Sequence, residues 1–180
     1  MKSNQTGNVQ KDPNVVSFTK VDLPYGWLGN MAPCRILHEK KSYRTTEALF
    51  QCLRFEGHPS VQEEIRSARS PMEAKMKAKK HKALLSPSVG LLEEPDLERM
   101  RLCLRLKIQQ DPILRVLLLK TGAKRIVEDC SKRASKSGLF WGAKWEEETG
   151  EWKGNNALGK LWMELRSELL VTAAAEKTAA

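Results

Sequence analysis

Apolar residues recur at helical spacing in two long segments of the second half of the chain, and this periodicity limits the fold more than any other feature. The two sets are Leu97, Met100, Leu104 and Ile108, and Leu158, Leu161, Leu165 and Leu169. Side chains three or four positions apart lie on one face of a helix. The first set therefore predicts a helix over 96–109, and the second predicts a final helix that Asn155 or Asn156 caps.

Helix-start signals predict two further helices. Ser70 is a cap, Pro71 is a first helical residue, and Glu73 can close a capping box. Asp111-Pro112 starts the second of these helices, and Thr121-Gly122 ends it.

Strands are few and short in this sequence. The predicted strands cover residues 15–18, 35–38, 40–43 and 125–128, of which the middle two can form a hairpin. The loop over 24–30 carries two glycines and an asparagine, which are residue types that suit positive φ. After the hairpin, Thr45 or Thr46 caps a helix that runs to about Phe55. The sequence thus predicts a compact, predominantly helical α+β domain.

The length of 180 residues favours one domain. We expect a flexible N-terminal tail over 1–14, the domain over 15–171, and a C-terminal tail or frayed helix end over 172–180. The longest apolar run, 116–119, is far too short to cross a bilayer, and the first segment has no apolar signal core. We therefore expect a reduced, cytoplasmic protein that does not contact a membrane.

The net charge suggests an anionic partner. Lys and Arg number 31 against 22 Asp and Glu, which gives a formal charge of +9. The partner can be nucleic acid or a phosphorylated small molecule, unless the charge only keeps the surface soluble. The four cysteines and three histidines show no metal-ligand spacing, and the sequence has no P-loop or dinucleotide fingerprint. We therefore predict neither a metal nor a cofactor.

Four segments carry residues suited to chemistry. Glu47 lies in the first turn of a predicted helix, where it either complements the helix dipole or acts as a catalytic carboxylate. Trp141, next to Gly142, is either core packing or a platform for a planar ring. The segment 154–159 either caps a helix or presents N–H groups to an anion. The lysine-rich run 75–82 is either a solvated helix face or a phosphate-neutralising patch.

Taken together, these segments stand in the order of motifs typical of one family. The motifs are Pro24-Tyr25-Gly26 with Asn30, Tyr43-Arg44-Thr45-Thr46-Glu47-Ala48-Leu49-Phe50-Gln51 with Arg54-Phe55, Ser70-Pro71-Met72-Glu73-Ala74, Met100-Arg101 through Lys107, Leu117-Leu118-Leu119-Lys120-Thr121-Gly122 leading to Glu128, Trp141-Gly142, Gly154 with Asn156-Ala157-Leu158-Gly159, and Met163-Glu164-Leu165-Arg166. On these residues the chain resembles the NADAR family, also called YbiA-like, over roughly residues 18–170.

The resemblance implies a compact, mainly helical fold and N-glycosidase activity. The implied substrate is a phosphorylated ribosyl compound. It is either a metabolite like the early intermediates of riboflavin biosynthesis or an ADP-ribosyl substrate, which includes ADP-ribosylated guanine in nucleic acid. Such a hydrolysis needs no metal and no cofactor.

The resemblance also assigns residues. Glu47 and Trp141 receive the catalytic roles. The implied substrate-binding residues are Tyr25, Gly26, Asn30, Gln51, Lys79, Lys107, Gly142, Asn156 and Arg166. In this set, the two asparagines are candidates for the ribose, and the lysines and the arginine are candidates for the phosphate.

Two positions depart from the family pattern. The histidine that usually follows the catalytic glutamate is Ala48, and the aspartate that usually follows Trp-Gly in YbiA-like members is Ala143. This chain either lacks that second carboxylate or replaces it, for example with one from residues 146–148. Two other functions therefore stay open. One is an ADP-ribose or nucleotide-binding module without cleavage, and the other is a basic nucleic-acid-binding protein with salt-dependent affinity.

Overall fold

Residues 12–85 and 87–178 are described by the structure, a computed structural model. The predicted N-terminal tail therefore lies outside the described residues, except for 12–14. The helices are α1 (Thr46–Leu53), α2 (Pro59–Arg66), α3 (Pro71–Lys80), α4 (Glu94–Gln110), α5 (Pro112–Lys120), α6 (Lys136–Trp141) and α7 (Ala157–Thr178). The strands are β1 (Val15–Phe18), β2 (Pro33–His38), β3 (Lys41–Thr45), β4 (Arg125–Glu128), β5 (Lys144–Glu146) and β6 (Glu151–Lys153). The predicted α+β, predominantly helical class is confirmed.

The strands form three separate pairs. β1 and β4 are parallel, with Phe18 opposite Glu128 at their carboxyl ends. β2 and β3 form the predicted hairpin, whose turn residues Glu39 and Lys40 both have positive φ, as a tight hairpin turn requires. β5 and β6 form a second hairpin.

Helix α1 is the centre of the core. It packs against α2, α3 and α4, and every residue from Thr46 to Cys52 is buried. Ala74 and Ala78 on α3 are also buried, and their small side chains let α3 approach closely. On the other side, α7 packs against α4 and β4 through side chains such as Leu158 and Trp162. This packing places α1 beside α2, α3 and α4, and places α7 between α4 and β4.

Most of the predicted helix signals act as expected. Thr45 Oγ1 accepts a hydrogen bond from the N–H of Ala48 at 3.1 Å, and Ser70 Oγ accepts one from Glu73. Asp111 accepts from Ile113 and Leu114 at the start of α5. The helix α2 was not predicted from the sequence, because its preceding residue, His58, makes no side-chain cap.

One local prediction is wrong. In the 24–30 loop, the residue with positive φ is Tyr25, whereas Gly29 is extended. Gly26 is required for space instead, since a Cβ there would collide with the main chain of Lys20 and Val21. At the other end of the chain, the segment 172–180 is helical as far as Thr178. Within the described residues, no helix has the length and apolarity needed to span a membrane.

Candidate active site

One face of α1 carries the central residues of the site. Glu47, Phe50, Gln51 and Arg54 are three, four and seven positions apart, so they share a face. Gln51 Nε2 donates to Glu47 Oε1 at 2.9 Å, and Gln51 Oε1 accepts from the Arg54 guanidinium at 3.3 Å. These bonds fix the Glu47 carboxylate in one orientation. Its second oxygen accepts no hydrogen bond from any described residue.

The Arg54 side chain joins this face to a buried ionic cluster. Its guanidinium forms a bidentate pair with Asp96, which is fully buried at the start of α4. Asp96 also accepts from Arg99 at 3.1 Å and from the N–H of Leu92 at 2.8 Å. Because every charge in this cluster is paired, it anchors α1 to α4 rather than offering a ligand site.

Four consecutive carbonyl groups, those of residues 27–30, hold the 24–30 loop in place. Lys107 Nζ donates to the carbonyls of Trp27 at 2.5 Å and Gly29 at 3.5 Å, and Trp162 Nε1 donates to that of Leu28 at 2.9 Å. The carbonyl of Asn30 accepts from the N–H of Glu47 at 3.0 Å. The loop is therefore locked onto α1, α4 and α7.

Asn30 leaves one buried atom without a partner. Its side-chain Oδ1 is buried and accepts no hydrogen bond from the described residues. A buried acceptor without a donor is costly unless a ligand or water supplies one. Its main chain bonds to Glu47, so this acceptor lies beside the catalytic candidate.

The ring of Trp141 packs beside the same face of α1. Trp141 is the last residue of α6 and is half-buried. Its ring meets Phe50 edge-to-face at 5.5 Å and Phe140 at 5.0 Å. The Arg54 guanidinium covers Phe50 at 4.4 Å. Trp141 therefore contacts Phe50, which lies one turn after Glu47 on α1.

A second carboxylate, Glu128, lies in this region and was not among the predicted site residues. It ends β4, and its pKa is raised from 4.5 to about 7 by burial first and then by the negative charge of Glu47. The positive charges of Lys75 and Arg133 act in the opposite direction. From the sequence, Glu128 was only the end of a short strand in a family motif, and that pattern says nothing about its neighbours.

Four predicted ligands are engaged within the protein. Lys107 is buried under the 24–30 loop, and burial lowers its pKa. Arg166 is buried and donates to Thr121 Oγ1 and the carbonyl of Lys124. Asn156 joins β4 to α7, because its amide bonds the N–H of Glu128 and the carbonyl of Ile126. Gly142 packs against the Glu128 carbonyl, where a Cβ would collide.

The lysine-rich helix divides into paired and unpaired charges. Lys77 pairs with Glu73 at 3.0 Å, and Lys80 and His81 pair with Glu64. Lys75 and Lys79 lie one turn apart and form no ion pair with the described residues. Tyr25 is exposed at the start of its turn.

Other surface features do not converge on this region. A shallow depression of about 700 Å³ follows α7 between Lys160 and Glu168 and contains none of the site residues. The described residues contain no group of three or more His, Cys, Asp or Glu side chains arranged to hold a metal.

Comparisons with known proteins identify the family. A family model for the NADAR domain matches residues 17–170. The chain belongs to the NADAR domain family. It is 32% identical over 171 residues to an N-glycosidase YbiA of Shigella sonnei, covering 95% of this chain and 98% of that protein. It is 31% identical to the Escherichia coli N-glycosidase YbiA with the same coverage.

The structural comparison supports the same assignment. The NMR structure of E. coli YbiA superposes with a TM-score of 0.72 at 31% identity, covering 89% of this chain and 87% of that one. A riboflavin biosynthesis protein PYRR from Arabidopsis thaliana is 38% identical over 128 residues, but the match spans 18% of that longer protein. The predicted family is confirmed, and the predicted enzyme class, a hydrolase of N-glycosyl bonds, is that of the YbiA relatives.

Proposed function

We propose that this NADAR protein hydrolyses the N-glycosidic bond of a phosphorylated ribosyl compound, of the kind formed early in riboflavin biosynthesis. The observation that carries the proposal is Glu47, a buried carboxylate with one oxygen fixed by Gln51 and the other bonded to no described residue, on the α1 face whose Phe50 contacts the ring of Trp141. The names of the YbiA and PYRR relatives support the bond type and the class of metabolite.

The chemistry suits a buried carboxylate. As the bond between C1′ and nitrogen breaks, positive charge develops on C1′ and the ring oxygen. The free oxygen of Glu47 stabilises that charge and accepts a proton from the attacking water. Because Glu47 is held by its own helix and by Gln51, little reorganisation is needed when the charge appears.

Two further groups orient the sugar and the base. Trp141, fixed by edge contacts with Phe50 and Phe140, offers a flat surface on which the departing base stacks. The unpartnered Oδ1 of Asn30 accepts a hydrogen bond from a ribose hydroxyl. Tyr25, at the start of the same turn, lies at the rim.

The phosphate is held at the α3 side of the site. Of the predicted phosphate ligands, Lys79 is the one that forms no ion pair with the described residues. Lys75, one turn earlier, and Arg133, after β4, bind the phosphate together with it. Lys107 and Arg166 do not belong to this group, because their donors bind main-chain and hydroxyl oxygens.

One observation favours a second candidate function, a nucleotide-binding module without turnover. Ala143, where YbiA-like members usually carry an aspartate, is buried in an apolar cluster with Val15, Val127 and Trp152. Glu146, one of the expected replacements, pairs with Lys144 at 3.2 Å in the β5–β6 hairpin. Binding that survives Glu47→Gln, without any turnover by the parent protein, is the result expected from this alternative.

A turnover assay over a substrate panel tests the proposal. The panel contains the reduced aminopyrimidine ribotide, NAD, free ADP-ribose and an ADP-ribosylated guanine oligonucleotide. We expect release of ribose 5-phosphate from the ribotide and at least about 10³-fold less with Glu47→Gln. Glu151→Gln, at an exposed position of β6, is the matched control and keeps wild-type activity. Sugar release from no member of the panel would contradict the enzyme proposal.

A further inference from the structure

Glu128 is held in place on both sides of its main chain. Its N–H donates to Asn156 Oδ1 at 3.1 Å, and its carbonyl accepts from the N–H of Ala143 at 2.9 Å. Gly142 packs so closely against the Glu128 carbonyl that a side chain at 142 would collide with it. The main chain of Glu128 is therefore rigidly placed at the carboxyl end of a parallel strand pair, beside the Trp141-Gly142 segment.

The Glu128 carboxylate makes no hydrogen bond to a described residue. The charges that act on it are those of Glu47 from α1, Lys75 from α3 and Arg133 from the segment after β4, and its own charge acts on Cys130. Because the negative charge of Glu47 raises the pKa of Glu128, the two carboxyl groups disfavour simultaneous ionisation. The pair differs in bonding, because Glu47 accepts a hydrogen bond from Gln51 and Glu128 accepts none.

We propose that Glu128 is a second catalytic residue, a carboxylic acid that protonates the departing nitrogen base. This inference rests on the proposed function. The electron pair of the C1′–N bond moves to nitrogen, which takes the Glu128 proton, while water adds to C1′ and gives its proton to Glu47. Glu47 then returns a proton to solvent and Glu128 regains one, so the enzyme is unchanged. Two carboxyl groups with environments that separate their protonation are typical of glycoside cleavage.

The pH dependence follows from this role. The acid works only while protonated, and the Glu128 pKa of about 7 means that the protonated fraction falls above that value. The kcat/KM for a nitrogen-base substrate should therefore decrease about tenfold per pH unit above about pH 7.

The experiment compares two ribosyl substrates that carry the same phosphate. One has the aminopyrimidine leaving group, and the other is 4-nitrophenyl ribofuranoside 5-phosphate, whose leaving group departs without protonation. Glu128→Gln should lower kcat about 10²–10⁴-fold on the aminopyrimidine substrate and less than tenfold on the nitrophenyl substrate. It should also remove the decrease of kcat/KM above about pH 7 that the wild-type protein shows with the aminopyrimidine substrate. Glu47→Gln should lower kcat on both substrates, and the exposed Glu151→Gln on β6 on neither.

Two results would overturn the inference. One is a Glu128→Gln variant with wild-type rates and an unchanged pH profile. The other is a Glu128→Gln variant whose kcat falls by the same factor on both substrates. Absence of turnover by the wild-type protein would contradict the proposed function instead. If the variant does not fold, the Glu128 titration in the wild-type protein and in Glu47→Gln, followed by carboxyl-carbon NMR, gives a second test. The Glu128 midpoint should fall without the neighbouring charge, and an unchanged midpoint contradicts the pairing.

Discussion

Asp96 is fully buried and Glu128 is partly buried, and the surroundings of these two acidic side chains are opposite. Asp96 accepts hydrogen bonds from Arg54, Arg99 and the N–H of Leu92. The Glu128 carboxylate accepts none from the described residues, and the negative charge of Glu47 raises its pKa. A fully bonded carboxylate stabilises the fold, whereas an unbonded one costs stability and keeps its oxygens available for a substrate.

The basic residues show the same contrast. Lys107 and Arg166 are buried with their donors bound inside the protein, while Lys75 and Arg133 have no ion-pair partner and face Glu128. Burial and bonding therefore separate the charges that build the site from those that face its substrate.

The largest effect is expected from breaking the bonded cluster. Asp96→Asn leaves Arg54 and Arg99 without their counter-charge, so the free energy of unfolding should fall by about 3–5 kcal/mol in urea titrations. The control is Glu98→Gln on the same helix, whose exposed pair with Arg101 should contribute under about 1 kcal/mol. Equal losses in the two variants would show that the Asp96 cluster is not special.

Removing the charge of Glu128 should raise the free energy of unfolding, which is the opposite of the effect at Asp96. Glu128 keeps its proton in the folded protein up to about pH 7 but loses it near pH 4.5 in the unfolded chain. The stability that this group contributes to the folded state is therefore fully present below pH 4.5 and is lost as the pH rises through 7. Glu128→Gln should therefore raise stability by about 2 kcal/mol, or several degrees in Tm, at pH 8 and much less at pH 5. Thermal unfolding at both pH values measures this. A loss of stability at pH 8 would contradict it.

A smaller effect distinguishes the two kinds of lysine. Lys107→Met removes the bonds to the 24–30 loop, at a cost of about 1–2 kcal/mol, and should raise KM equally for phosphorylated and unphosphorylated substrates. The matched Lys75→Met should leave stability within about 0.5 kcal/mol and raise KM only for the phosphorylated substrate. Steady-state kinetics with the phosphorylated and the unphosphorylated substrate tests both variants. If Lys107→Met raised KM only for the phosphorylated substrate, Lys107 would be a phosphate ligand after all.

The smallest change in stability is expected at Asn30. Because its Oδ1 has no partner, Asn30→Ala should change the free energy of unfolding by less than about 0.5 kcal/mol while raising KM about tenfold. Asn155→Ala is a control, since the side chain of Asn155 accepts a hydrogen bond from Lys160 at the surface and its bond to the Leu139 carbonyl is made by the main chain. A strongly destabilised Asn30→Ala with unchanged KM would place Asn30 among the structural residues.

The sequence predicted what depends on local pattern. The caps Thr45, Ser70 and Asp111 act through residues two or three positions away, so their roles were visible in the chain itself. The family resemblance assigned catalytic roles to Glu47 and Trp141, which stay predictions, and Trp141 contacts Phe50 one turn after Glu47.

The sequence did not predict roles that depend on distant partners. Lys107 bonds carbonyls about eighty positions away, and Asn156 bonds a strand thirty positions earlier. No local pattern shows whether such a polar side chain faces a ligand or the protein's own main chain. The same reason hid Glu128, whose importance comes from Glu47 on another element.

The most direct test of this account is a crystal structure of the protein with ribose 5-phosphate. The account predicts the C1 hydroxyl between the carboxylates of Glu47 and Glu128, a ribose hydroxyl on Asn30 Oδ1, and the phosphate beside Lys75, Lys79 and Arg133. A sugar bound away from Glu47 and Glu128, for example in the depression along α7, would contradict it.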